Sequence, residues 1–184
     1  RVFARSAIKL LQALPLVASG AADHWEFTDE ELALACASHN GEAMHASTAL
    51  SMLHKAGLDD TALECGVHAP YLMQAHALLV AQGQVPCSLH NNCSGKHAGF
   101  LGLGAFRAAT GKTPSDARNG LRGYVNHDHA VMREVSQAVA GATSSDLSQT
   151  TRGTDGCSIP THAIELKALA LAYARVATGD GLPT

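Results

Sequence analysis

Apolar side chains recur at helical spacing along almost the whole chain, and few stretches alternate as a half-buried strand would. Over residues 6–16 this spacing puts Ile8, Leu11 and Leu14 on one face of a helix. Pro15 is expected to interrupt its far end and Gly20 to close it. Thr28-Asp29-Glu30-Glu31 has the order of a helix cap, and Ser38-His39-Asn40-Gly41 reads as the turn after that helix. Further helices are predicted over residues 42–56, 71–82, 96–109, 129–140 and 159–178, the last started by Pro160. Alanine supplies 33 of the 184 residues and aromatics only 4%, a composition that favours helices with small core side chains. The intervening stretches 65–70, 110–123 and 143–156 are irregular or polar, and no internal repeat is visible.

Thirteen basic and sixteen acidic residues give a net charge of −3, spread without blocks of either sign. The charged fraction is 16% and the apolar fraction 46%, against about 25% charged residues in an ordinary domain. This balance excludes a disordered chain, a basic nucleic-acid binder and a coiled coil. No run approaches the ~18 apolar residues of a membrane span. The length suits one domain, residues 1–184. Both ends read as cut: Arg1 is no initiator Met, and Thr184 follows closely on a helix, so a fragment lacking both termini is expected. Cys36, Cys65, Cys87, Cys93 and Cys157 are odd in number and irregularly spaced. They fit reduced thiols in the cytoplasm, some of them possible metal ligands, better than a disulfide framework.

Three segments carry chemistry. Ser6 and Lys9 are three apart, about one helical turn, and a lysine desolvated until neutral can take a serine's proton and make it a nucleophile. Asn91-Asn92-Cys93-Ser94-Gly95-Lys96-His97 packs polar groups into a turn at a helix start, where free backbone N–H groups can hold an anion. Cys93 and His97 there can be read as a thiol–imidazole pair, as two metal ligands or as buried structural residues. Asp155-Gly156-Cys157 sets a second thiol in a polar turn. With Cys93 it suits Zn²⁺ if a third ligand is near, although no C-x-x-C or H-E-x-x-H spacing is present. Ser38-His39-Asn40-Gly41-Glu42 reads either as a second hydroxyl for a substrate pocket or as a well-capped turn.

In this order the segments resemble the bacterial L-asparaginase II family, the Rhizobium-type or class 3 asparaginases. The resemblance is carried by Arg5-Ser6-Ala7-Ile8-Lys9, Ala37-Ser38-His39 with Gly41-Glu42, and Cys65-Gly66 with His68 and Pro70. The specific string His90-Asn91-Asn92-Cys93-Ser94-Gly95-Lys96-His97-Ala98-Gly99 and Asp155-Gly156-Cys157 complete it. It implies a mixed α/β (α+β) fold similar to serine β-lactamases and penicillin-binding proteins. This chain would supply mostly helices and an incomplete sheet built by its two ends. It further implies hydrolysis of L-asparagine to L-aspartate and ammonia through an acyl-enzyme, by a homodimer. Ser6 would be the nucleophile, Lys9 its base and Ser38 a second active-site serine. Cys93, Lys96 and Cys157 would hold Zn²⁺, while Arg5, His97 and Asp155 would bind substrate.

Lysine binds a metal only as the free amine, so such a site should weaken as pH falls. Two thiolates already neutralise the ion, which favours substrate orientation over generation of hydroxide. The family pairs its second serine with a further lysine from a C-terminal segment, which residues 1–184 do not contain. Rival readings are a glutaminase or penicillin-recognising acylase using the same Ser6–Lys9 pair, a Cys93/His97 thiol hydrolase, and an inactive zinc-binding fragment.

Overall fold

The computed structural model describes residues 1–111 and 120–182, so part of the polar 110–123 segment lies outside the described residues. The clearest local signal forms as expected. Thr28 caps α3 (Asp29–Ala35) in a capping box with Glu31, whose Oε2 accepts from the Thr28 N–H at 2.8 Å. The same carboxylate accepts from Ser51 at 2.7 Å and from Lys55 at 2.7 Å, both on α4 (Ala43–Lys55), so the cap also ties two helices together. Burial alone would raise the Glu31 pKa, but these bonds outweigh it and hold the carboxyl below its ordinary value.

Before α3, the 3-10 turn Arg5–Ile8 leads into α1 (Lys9–Ala18), and the short α2 spans Ala21–His24. α1 starts three residues later than the expected position near Ser6 and runs one turn past Pro15, where Ser19 N–H reaches the Pro15 carbonyl at 3.1 Å. Gly20, at φ 80°, ends it. α5 (Met73–Ala81), α6 (Ser94–Ala109) and α7 (Ala130–Thr143) fall within a few residues of their predicted spans. The span 159–178 divides differently. Pro160–Ile164 is a strand, β3, and the helix, α8, is Leu166–Thr178. With β1 (Val2–Phe3) and β2 (Arg152–Thr154) it forms an antiparallel sheet in the order β1-β3-β2. Val2 pairs with Ile164 and Arg152 with His162, so the start of the chain joins residues 152–164 in one small sheet, with α8 following it.

The result is a predominantly helical α/β architecture. Residues 94–105 of α6 are all buried, so this helix threads the interior rather than lying on it. Gly95 makes its entry possible: a Cβ there would lie 2.7 Å from the Leu34 carbonyl oxygen, so α3 and α6 touch backbone to backbone. The larger core cluster joins Leu16, Leu34, Met52, Leu53, Leu101 and Tyr124. A second joins Ile8, Leu11, Val139, Ile164 and Leu169, where α1, α7, α8 and β3 converge. α1 therefore bridges both clusters and brings the Lys9 end of the chain beside the start of α6.

Candidate active site

The turn before α6 is held by Asn91. Its Nδ2 donates to the Cys65 and Gly66 carbonyls at 2.8 and 3.1 Å, and its Oδ1 accepts from the Cys93 N–H at 2.9 Å. Cys93 is thereby fixed as the residue entering α6, with Lys96 and His97 in the first turn beyond it. The carbonyls of the irregular 65–70 segment thus anchor this turn.

His39 closes the other side. Its Nδ1 accepts from the Gly41 N–H at 3.1 Å, so Nε2 carries the hydrogen and donates to Ser94 Oγ at 2.9 Å. Ser94 Oγ passes its own hydrogen to the Leu89 carbonyl at 2.9 Å. Burial, helped by the positive fields of His45 and Lys9, pushes the His39 pKa down to about 4 from 6.5. Above pH 6.5 the ring is neutral folded or unfolded. As pH falls from there towards 4, the unfolded chain takes up a proton that the folded chain refuses, and stability is lost. His39→Gln should remove about 3 kcal/mol of the stability difference between about pH 7 and about pH 4, since each pKa step is worth about 1.4 kcal/mol. Urea unfolding of both proteins at the two pH values measures this; equal slopes would mean that His39 titrates freely.

Lys9 is buried, and its Nζ donates to the Ala37 carbonyl at 2.7 Å, Ser38 Oγ at 2.9 Å and the Asn92 carbonyl at 3.2 Å. Its pKa is lowered, chiefly by burial; Cys93 works the other way and Lys96 adds to the depression. Ser6 is exposed on the turn Arg5–Ile8, and its hydroxyl is not among the partners of the Lys9 amine. The amine faces the second serine instead, because the inward direction offers three oxygens to a buried cation.

The thiols lie together. Cys93 and Cys157 interact directly and are both buried. The Cys157 contact and the Lys96 and Lys9 cations outweigh burial and bring the Cys93 pKa down to about 5, while the hydrogen bond with Cys93 and burial push that of Cys157 up. Lys96 Nζ lies 3.0 Å from Cys157 Sγ. The loop carrying Cys157 is pinned by Arg5, 2.8 Å from the Asp155 carboxylate, and by Asp155 Oδ1 accepting from the Gly156 N–H at 2.8 Å. Arg5 (φ 49°) and Ser158 (φ 73°) are both left-handed, an uncommon state outside glycine, so the backbone is strained on both sides of this contact.

His97 is fully buried. Its Nδ1 lies 2.6 Å from the Tyr124 hydroxyl, which accepts in turn from the Glu64 N–H at 3.0 Å. The Tyr124 hydrogen therefore points to Nδ1, and Nε2–H faces Cys157 without a completed hydrogen bond. Burial holds this ring neutral, with a pKa down to about 4. Tyr124 has no counterpart among the residues singled out from the sequence, since it follows a polar stretch with no motif. Thr161 Oγ1, on the strand after Cys157, is also buried without a partner.

Among the described residues, no group of three or more His, Cys, Asp or Glu side chains is gathered as a metal site. The set that approaches one includes an amine: Cys93, already inclined to thiolate, Cys157, and Lys96 touching Cys157. Two thiols and a buried amine, with the unpartnered His97 Nε2 facing Cys157, fit a thiophilic ion chemically.

In this mostly helical α/β domain the Lys9–Ser38 contact thus lies near a buried thiol pair. The chain belongs to the L-asparaginase II family, whose family model matches residues 1–184. That membership makes it an asparaginase-type amidohydrolase. No curated protein matches it.

Proposed function

We propose that the protein hydrolyses L-asparagine to L-aspartate and ammonia through a serine acyl-enzyme. The observation that supports this reading is the buried Lys9 amine, depressed in pKa, three residues along from Ser6 and in hydrogen-bond contact with Ser38. Ser6 attacks the side-chain amide carbon and Lys9 takes its proton. The tetrahedral species collapses as Lys9 returns that proton to the leaving nitrogen, and ammonia departs. Water, deprotonated by the same amine, then cleaves the ester to release L-aspartate. Arg5 and Asp155 bind the substrate's charged ends, and His97 supports the site from behind Cys157.

Cys93, Cys157 and Lys96 hold Zn²⁺ in this reading. The ion, when bound, supplies a Lewis-acidic point that orients the substrate. A homodimer is part of the proposal, supported by the exposed apolar side chains of Met73 and Val80, two turns apart on one face of α5, which a second copy would cover. Five free cysteines suit a reducing, cytoplasmic setting.

A second reading makes Ser38 the nucleophile, favoured by its 2.9 Å contact with Lys9. Ammonia release from L-asparagine and L-glutamine, with ring opening of a β-lactam followed separately, distinguishes the possibilities. Ser6→Ala should lower asparagine turnover by a factor on the order of 10³ or more, as loss of a nucleophile does. Loss in Ser38→Ala with Ser6→Ala unimpaired would transfer the role to Ser38. Full activity in both variants would end the acyl-enzyme reading, and release from glutamine alone would end the asparagine assignment.

A further inference from the structure

Away from the Lys9–Cys93 region, β2, β3 and the start of α7 border an open cleft of about 530 Å³. Arg152 and His162 are direct cross-strand partners on β2 and β3, so their side chains leave the same face of the sheet. Arg133 enters from the first turn of α7, and His127 from the turn before that helix. Four basic side chains, from β2, β3, α7 and the turn before α7, therefore line one open cleft.

Their partners are few. Among the described residues neither Arg133 nor Arg152 pairs with a carboxylate. His127 Nδ1 lies 3.2 Å from the exposed Asp128. The other nearby acid, Asp146, is spent on Ser148, accepting from its N–H at 3.0 Å and its hydroxyl at 2.6 Å. The Thr150 hydroxyl donates to the Leu147 carbonyl at 2.9 Å and so accepts from His162 Nδ1, 3.1 Å away, which fixes that ring's orientation. The local field is positive: besides burial, Arg152 and His127 both lower the His162 pKa. Arg133 and Arg152, with no carboxylate partner among the described residues, repel one another, and an anion placed between them relieves that repulsion.

We infer that this cleft is a binding site for a small phosphate-bearing anion, either inorganic phosphate or a phosphomonoester. Two unpaired guanidinium groups offer the paired N–H donors that match phosphate oxygens, and the volume suits a small molecule. The rest of the wall selects further. Its remaining side chains are hydroxyls and an amide, with Leu147 the one apolar group, so neither a nucleobase nor an acyl chain has a surface to cover it. No carboxylate lines the cleft to receive an ammonium group, so it does not fit an amino acid such as asparagine or aspartate. The site is thus distinct in chemistry from the one assigned to the amide substrate.

Titration calorimetry with the whole protein tests this at fixed ionic strength, using sodium phosphate, glycerol phosphate and L-aspartate as probes, with sodium chloride as the blank. Saturable binding of either phosphate probe at one site per chain is expected, with affinity reduced about tenfold or more in Arg133→Gln and in Arg152→Gln. Both positions are solvent-facing, so melting temperatures close to the parent's should show that these variants fold. The His162 ring protons should shift on phosphate addition and stay still with L-aspartate. Tighter glycerol phosphate than phosphate binding would identify a phosphomonoester ligand, and equal affinities the free ion. Absence of saturable binding, affinities unchanged in both variants, or L-aspartate binding as well as phosphate would overturn the proposal.

Discussion

Lys9→Met is expected to lower ammonia release from L-asparagine by about 10³-fold while leaving the protein folded, because general-base assistance is typically worth 10²–10⁴-fold. Methionine is close to lysine in shape and removes a cation that is costly to keep away from water. The Ala37 and Asn92 carbonyls lose a donor, and the two effects oppose one another, so the net change in stability should stay within about 2 kcal/mol. Lys9→Arg separates base from mere cation. Arginine retains the charge and the donors for Ala37, Ser38 and Asn92 but does not give up its proton, so it should be as inactive as the methionine variant. Turnover restored by arginine would make Lys9 a positioning cation and remove it as the base. Circular dichroism melting alongside the ammonia assay confirms that both variants are folded.

The spacing of Ser6 and Lys9 is visible in the sequence, but the direction of the amine is not. It is decided by the Ala37 and Asn92 carbonyls, 28 and 83 positions away, which only the packing of α1 against the turn before α6 brings within reach. Helix caps are legible for the opposite reason. Thr28 and Glu31 are three residues apart, and their bonds form within one turn whatever the rest of the chain does. β3 reads as helix in the sequence because five residues are too few to show a period and Pro160 mimics a helix start. Its identity as a strand comes from pairing with Val2–Phe3 at the far end of the chain. The segments bearing Cys93, Lys96 and Cys157 are each conspicuous as polar turns, and the fold does bring them together. Tyr124 stays hidden: a lone tyrosine signals nothing until His97 is found against its hydroxyl.

The closeness of α3 and α6 makes Gly95→Ala the substitution expected to cost most stability. The added Cβ would meet Leu34 Cγ at 2.5 Å, the Leu34 carbonyl oxygen at 2.7 Å and its carbon at 2.9 Å. A side-chain tip could turn aside, but the carbonyl belongs to the last turn of α3 and cannot move without shifting that helix or α6. Overpacking of this kind costs about 1–3 kcal/mol, and a backbone obstacle should place Gly95→Ala at or above the upper end. For a chain of this length that lowers the melting temperature by roughly 10 °C, at about 2–4 °C per kcal/mol. Gly99→Ala, one turn along, supplies the control. Its Cβ would meet Leu16 Cδ2, a side-chain tip that can turn aside, and Ala35 Cβ, both at 3.3 Å, a far milder crowding than the 2.7 Å carbonyl contact at Gly95, and alanine improves helix propensity. It should melt within a few degrees of the parent. Because Gly95 lies between Cys93 and Lys96, any accommodation of the clash also displaces the start of α6 from Cys157. Gly95→Ala should therefore lose asparagine turnover even at temperatures where it remains folded, and Gly99→Ala should keep it. Equal melting temperatures for the two variants would show that α3 and α6 do not meet at Gly95, and the placement of the whole site would fall with that contact.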